Sequence, residues 1–158
     1  MSTAEHWIKK LNLRPHPEGG YYSEVYRSNH CLAMDRGTRN LSTSIYFLLN
    51  REDKSHFHVL SSDEIWYFHD GSDLRIHMLA DGRYYTEDIG KENSSNLQVL
   101  IPARTIFAAE VLDEGSYGLV SCMVSPGFDF DDFRLVDKEE LMVDYPELPD
   151  LIEKFTLK

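Results

Sequence analysis

The chain has 158 residues, of which 42% are hydrophobic and 12% aromatic, with a formal net charge of -11. This length and composition fit one ordered globular domain and exclude a disordered chain. The acidic balance argues against a nucleic-acid groove and an anionic membrane surface, both of which need a basic face. Two cysteines are too few for a disulfide framework. No run is long and apolar enough to span a bilayer, and Met1 to Lys10 lacks the apolar centre of a signal peptide. We therefore expect a single cytoplasmic domain over residues 1–158, with reduced thiols.

In chain order, a short helix comes first. Ser2 and Glu5 have capping-box spacing, Trp7, Ile8 and Leu11 form an apolar stripe, and Pro15 disfavours continuation. Glu18-Gly19-Gly20 reads equally as a carboxylate at the mouth of a fold or as a tight turn into the first strand. Strands are predicted at Tyr21–Arg27, Asn40–Leu49, Ser55–Leu60, Glu64–His69, Leu74–Leu79, Tyr84–Ile89, Gln98–Ile101, Thr105–Val111 and Tyr117–Val124. Asp81-Gly82 is a hairpin signal, and Asp113-Glu114-Gly115 a longer turn. Many short strands without intervening helices predict an all-β sandwich, jelly roll or barrel, with its core over about residues 20–125. After Pro126-Gly127 the pattern becomes helical, with Asp137 and Asp150 as expected caps.

The chemistry concentrates at His56-Phe57-His58 and Glu64. On a strand, His56 and His58 share a face, and Glu64 opens the next strand toward the same pocket. Two His and one carboxylate can hold a divalent metal (Fe, Zn, Mn or Ni) or serve as an acid/base site. Trp66 and Phe68 continue the face of Glu64 as substrate-stacking walls. Glu18, Tyr22 and Tyr46 are further candidates for the lining. So are Glu24, Tyr26, Ser44 and Leu48, and for these four, as for Tyr22 and Tyr46, packing or a dimer contact is at least as good an account. In Phe128 to Phe133 the Phe residues should cover the barrel and the Asp residues face water. His69 and His77 are expected on the exterior, Cys122 in the core and Cys31 in a loop.

His56-Phe57-His58, then Glu64 and Gly71, resembles the first signature of the cupin superfamily, with one extra residue in the Val59 to Asp63 turn. Pro102 to Phe107 resembles the second signature, with Arg104 at the usual glycine and Phe107 at the usual fourth ligand, a histidine. Phenylalanine cannot coordinate a metal ion. Together with His16-Pro17-Glu18-Gly19-Gly20-Tyr21-Tyr22, Asp63-Glu64-Ile65-Trp66 and Pro126-Gly127-Phe128-Asp129-Phe130, these motifs resemble the DUF985 (cupin_5) subgroup. The resemblance implies a double-stranded β-helix, the cupin jelly-roll barrel, with short N- and C-terminal helices, and a homodimer. It is compatible with three functions. The first is an isomerase- or epimerase-like enzyme on a polar metabolite such as a sugar or nucleotide-sugar, with His56 or His58 as base, Glu64 as acid or orienting group, and Phe107 beside the ligand. The second is a metal-dependent dioxygenase or Lewis-acid enzyme on His56, His58 and Glu64. The third is a non-catalytic small-molecule-binding or sensor barrel.

Overall fold

The computed structural model describes residues 2–112 and 117–157, so the expected Asp113-Glu114-Gly115 turn lies outside the described residues. A first helix, α1 (Ala4–Lys10), is followed by β1 (Arg14–Pro15), β2 (Tyr21–Arg27), β3 (Cys31–Met34), β4 (Gly37–Asn40), β5 (Thr43–Asn50), β6 (Ser55–Leu60) and β7 (Asp63–Gly71). Next come β8 (Leu74–Ala80), β9 (Arg83–Ile89), β10 (Gln98–Ile101), β11 (Ile106–Val111) and β12 (Tyr117–Ser125). A 3-10 turn (Phe130–Asp132), β13 (Phe133–Leu135), α2 (Lys138–Asp144) and α3 (Pro149–Phe155) complete the order.

Apart from β3 and β4, which pair only with each other, the strands form two facing sheets, a six-stranded one in the order β1-β2-β5-β12-β7-β10 and a five-stranded one in the order β13-β6-β11-β8-β9. All pairings between named strands are antiparallel, which gives the expected jelly-roll barrel. Inward side chains of both sheets fill the barrel, including Phe47, Trp66, Ile76, Met78, Phe107 and Val120. Both sheets are also covered outside. Helices α2 and α3 pack on Phe57, Leu79 and Ala108 of the five-stranded sheet. Helix α1 and its flanks cover Leu48, Tyr117 and Leu119 of the other.

Several local readings are corrected. The predicted strand Asn40–Leu49 is broken at Leu41-Ser42, and its first residue closes the separate β3–β4 hairpin. Thr3, not Ser2, caps α1, accepting from the His6 amide at 3.2 Å. Asp137 occupies the cap position of α2 without a side-chain cap bond. Leu148 and Pro149, rather than Asp150, begin α3. Asp81 and Gly82 form the predicted hairpin turn, both with positive φ (51° and 72°), the geometry that suits strand twist. Arg104, standing where the cupin signature has glycine, keeps the left-handed backbone with φ of 64°.

Candidate functional site

The site lies between the two sheets. β6 carries His58 on one wall, and β7 carries Glu64 on the facing wall. The extra residue is absorbed in the Ser61-Ser62 turn, so Glu64 still points inward, 7% exposed. A small cavity of about 30 Å3 is bounded by His16, Glu18, His58 and Glu64, with Tyr22, Ile45, Leu60 and Phe128 among its apolar walls. That volume holds one or two waters or one small chemical group.

Glu18 reaches this cavity from the segment between β1 and β2. Its carboxylate Oε2 lies 2.6 Å from His58 Nε2, with both side chains almost fully buried. The backbone is held as firmly. The Glu18 carbonyl accepts from the His56 amide at 2.7 Å and from His56 Nδ1 at 2.8 Å. Gly19 follows with φ of 111°, and a Cβ there would lie 1.9 Å from the Lys54 carbonyl. Glycine is required because the loop backbone is pressed onto the Lys54–His56 segment.

Hydrogen bonds fix the protons. A backbone carbonyl only accepts, so His58 Nδ1–H donates to the His56 carbonyl at 2.7 Å. His58 Nε2 then faces a carboxylate, and that contact needs one proton between them. Burial lowers the His58 pKa, but the charge and hydrogen bond of Glu18, the His56 carbonyl and Glu64 outweigh it, and the net direction is up. For Glu18, burial raises the pKa, while His58, His16 and His56 bring it below the ordinary value. Both directions favour an imidazolium beside a carboxylate. Across the cavity, burial and the Glu18 charge push Glu64 up to about 7, against the Trp66 hydrogen bond and His58. His16 accepts the Glu18 amide on Nδ1 at 3.1 Å, and burial keeps its pKa low, with Glu18 opposing and His58 reinforcing that shift. It is packed edge-on against Tyr22 and Phe133, with ring centroids at 4.7 and 5.8 Å.

The other predicted residues divide clearly. Tyr22 lines the cavity; His56 does not, acting through its bonds to the Glu18 carbonyl. Trp66 has the inward face expected of it but lies in the core, 1% exposed, and donates to Glu64 Oε2 at 2.7 Å rather than forming a cavity wall. Phe68 packs against the same core, away from the cavity. Tyr46 is on the opposite face of β5, under α1 with Leu48 and beside His69. The inward residues of β5 at the site are Thr43 and Ile45, not Ser44 or Tyr46. Tyr26 is exposed beyond a bulge in β2, and Glu24 pairs with Arg27. Phe128 and Phe133 cover the cavity as expected, whereas Phe130 is exposed and Asp132 is half-buried, in a bidentate pair with Arg39 at 2.8 and 2.9 Å. His77 faces outward but is buried near Phe155 of α3, bonded to Tyr84 and Glu110. Cys122 is a buried wall of the cavity, its thiol pushed well up by burial, Glu64 and Glu18, and Cys31 lies on the exposed strand β3. His16 also bounds the cavity, a site role that strand alternation does not reveal; its signal in the sequence is its place in the His16-Pro17-Glu18-Gly19-Gly20 run.

The divalent metal implied by the resemblance does not fit this donor set. His58 Nε2, the nitrogen free to ligate, is bonded to Glu18, and Glu64 Oε2 accepts from Trp66. Phe107 stands opposite His58 in the β6–β11 register, at the place of a further ligand. Among the described residues no three His, Cys, Asp or Glu side chains gather into a metal-holding group.

Comparisons with known proteins agree with the fold. A solved hypothetical protein from Leishmania major is 40% identical, with a TM-score of 0.93 over 99% of this chain and 100% of its own. Protein SO0799 from Shewanella oneidensis is likewise 40% identical, with a TM-score of 0.92 over 99% of each chain. The uncharacterised protein YML079W of Saccharomyces cerevisiae is 27% identical over 156 residues, covering 88% of this chain and 78% of its own. Oxalate decarboxylase shares the fold alone, at 16% identity and a TM-score of 0.57 over 96% of this chain and 39% of its own. Among the described residues no helix is long and apolar enough to cross a membrane. The profile of the Cupin_5 family, described as "Cupin superfamily (DUF985)", matches residues 5–136, and the chain belongs to that family.

Proposed function

We propose that the chain is a proton-transfer enzyme of the isomerase or epimerase type, acting on a polar metabolite such as a sugar derivative. The observation that carries this reading is the buried 2.6 Å contact between Glu18 and His58, with Glu64 across the same small cavity. Glu64, brought close to neutral pH in an enclosed cleft beside the Glu18–His58 pair, suits acid/base work at neutral pH. Glu18 as carboxylate takes a proton from a carbon next to a carbonyl, while the imidazolium of His58 offsets the charge that develops. Glu64, titrating at about 7, returns a proton from the opposite wall. One proton is removed and one is delivered, so substrate and product have the same composition. His56 and Trp66 position Glu18 and Glu64. The free cysteines suit a reducing cytoplasm. A homodimer would find an open sheet edge at Val25 and Tyr26 of β2, beyond the two residues that β1 covers.

The test is hydrogen exchange. The protein is incubated in D2O with panels of aldoses, ketoses and hydroxy acids, and deuterium at carbon is read by NMR. Wild type should label at least one member, and Glu18→Gln or His58→Ala should slow labelling roughly 100-fold or more. Unchanged labelling in both variants would overturn the reading.

A further inference from the structure

The cavity at His58 and Glu64 is too small for a whole metabolite. Its volume of about 30 Å3 stands against the roughly 300–1,000 Å3 of ordinary ligand pockets. Two of its walls, Tyr22 and Phe128, also line an adjoining open groove of about 370 Å3. A substrate whose reacting end enters the cavity must therefore lay its body in this groove.

The groove carries two carboxylates, each beside an arginine of its own: Glu24 with Arg27, and Asp129 with Arg39 at 3.9 Å. Arg14 lies in register with Tyr22 across β1 and β2, and its guanidinium carbon is 5.4 Å from the Tyr22 ring centre. Among the described residues Arg14 has no carboxylate partner. Arg27, by contrast, is occupied. It holds Glu24 at 2.6 and 3.3 Å, Asn40 at 2.8 Å and the Phe128 carbonyl at 3.0 Å. Arg27 thus anchors the aromatic wall, while Arg14 is left to meet a ligand. Phe130 stands at the rim, 53% exposed, with its ring edge-on to Phe128 at 4.9 Å. An exposed aromatic edge and a stacked guanidinium suit a ring that carries an anion. With a formal net charge of -11, long-range attraction does not bring anions here, so local contacts must do so.

We infer that this groove is the substrate's outer subsite, taking a ring that carries a phosphate or carboxylate, with the anion on Arg14 and the ring against Tyr22 and Phe130. This assigns a substrate class to the acid/base site and rests on the proposed function.

Calorimetric binding to the full chain tests it with phenyl phosphate, benzoate, phenol and inorganic phosphate. Phenyl phosphate or benzoate should bind at least roughly tenfold more tightly than phenol or inorganic phosphate, because ring and anion are engaged together. Arg14→Ala should remove that advantage, and Phe130→Ala should bring phenyl phosphate close to inorganic phosphate. The stronger of phenyl phosphate and benzoate identifies the anion. Absence of binding by both, or unchanged binding in Arg14→Ala, overturns the inference. Both variants alter exposed side chains, and their melting curves verify folding. Binding is read without turnover, so the two ideas separate. If phenyl phosphate binds through Arg14 while Glu18→Gln and His58→Ala both leave deuterium labelling unchanged, the groove stands and the acid/base reading falls.

Discussion

Phe107 faces His58 across the β6–β11 pairing, with ring centroids 4.1 Å apart. An apolar ring thus occupies the side from which a fourth metal ligand would approach. A buried imidazolium needs a partner. Glu18 supplies that partner from the N-terminal loop, so a carboxylate stands at Nε2 where β11 offers only the Phe107 ring.

This arrangement predicts indifference to divalent metals. Zinc or nickel added to the metal-stripped wild type should leave its melting temperature in place. The double variant Glu18→Ala/Phe107→His frees one nitrogen and adds another. It should gain a metal-dependent rise of several degrees, since a ligand that binds only the folded state stabilises it. A comparable rise in wild type would contradict the donor geometry.

Glu64 carries a pH-dependent cost. Its pKa rises from 4.5 unfolded to about 7 folded, so the folded chain holds this proton more strongly. The sign follows: stability falls as pH climbs from about 4.5 to about 7 and the full cost is present above that. At 1.36 kcal/mol per pKa unit the cost is of order 3 kcal/mol. Glu64→Gln, which still accepts from Trp66, should therefore be more stable than wild type at pH 8 by up to about 3 kcal/mol, with the difference vanishing near pH 4. Urea melts at both pH values measure it, and a constant difference would show that Glu64 is not the group responsible.

Gly19→Ala should separate the loop from the site. A Cβ at this residue meets the Lys54 carbonyl at 1.9 Å on a backbone with φ of 111°. We expect a loss of roughly 1–3 kcal/mol from strain, together with withdrawal of Glu18 from His58. Gly82→Ala is the comparison: its φ is also positive but its Cβ would meet nothing within 4 Å, so it should cost less. Equal costs would mean that backbone conformation alone, not the Lys54 contact, sets the effect.

The barrel was legible because its strands alternate and its turns carry Asp-Gly and Ser-Ser signals. Alternation gives the face of a residue but not its depth or its cover. Trp66 shares the face of Glu64 yet lies in the core, and His77 faces outward yet is buried near α3. Tyr46 packs under α1 rather than in the cavity, and the sequence does not reveal this because both faces of β5 are apolar. Ile45 and Phe47 point into the barrel while Leu48 packs under α1, so pattern alone could not choose between them. Glu18 meets His58 across forty positions of sequence, a contact no local rule predicts. Glu18-Gly19-Gly20 showed only that a carboxylate precedes a tight turn.

The chemistry of the site turns on Glu18 and His58 sharing a buried proton as carboxylate and imidazolium. Nitrogen-15 NMR of the His58 ring through a pH titration tests it directly. In wild type, both ring nitrogens should remain protonated above pH 6.5, the ordinary histidine value. In Glu18→Gln, burial should dominate and His58 should be neutral at that pH, with the proton on Nδ1 facing the His56 carbonyl. A wild-type His58 that is neutral at pH 6.5, or one whose titration is unmoved by Glu18→Gln, would contradict the account.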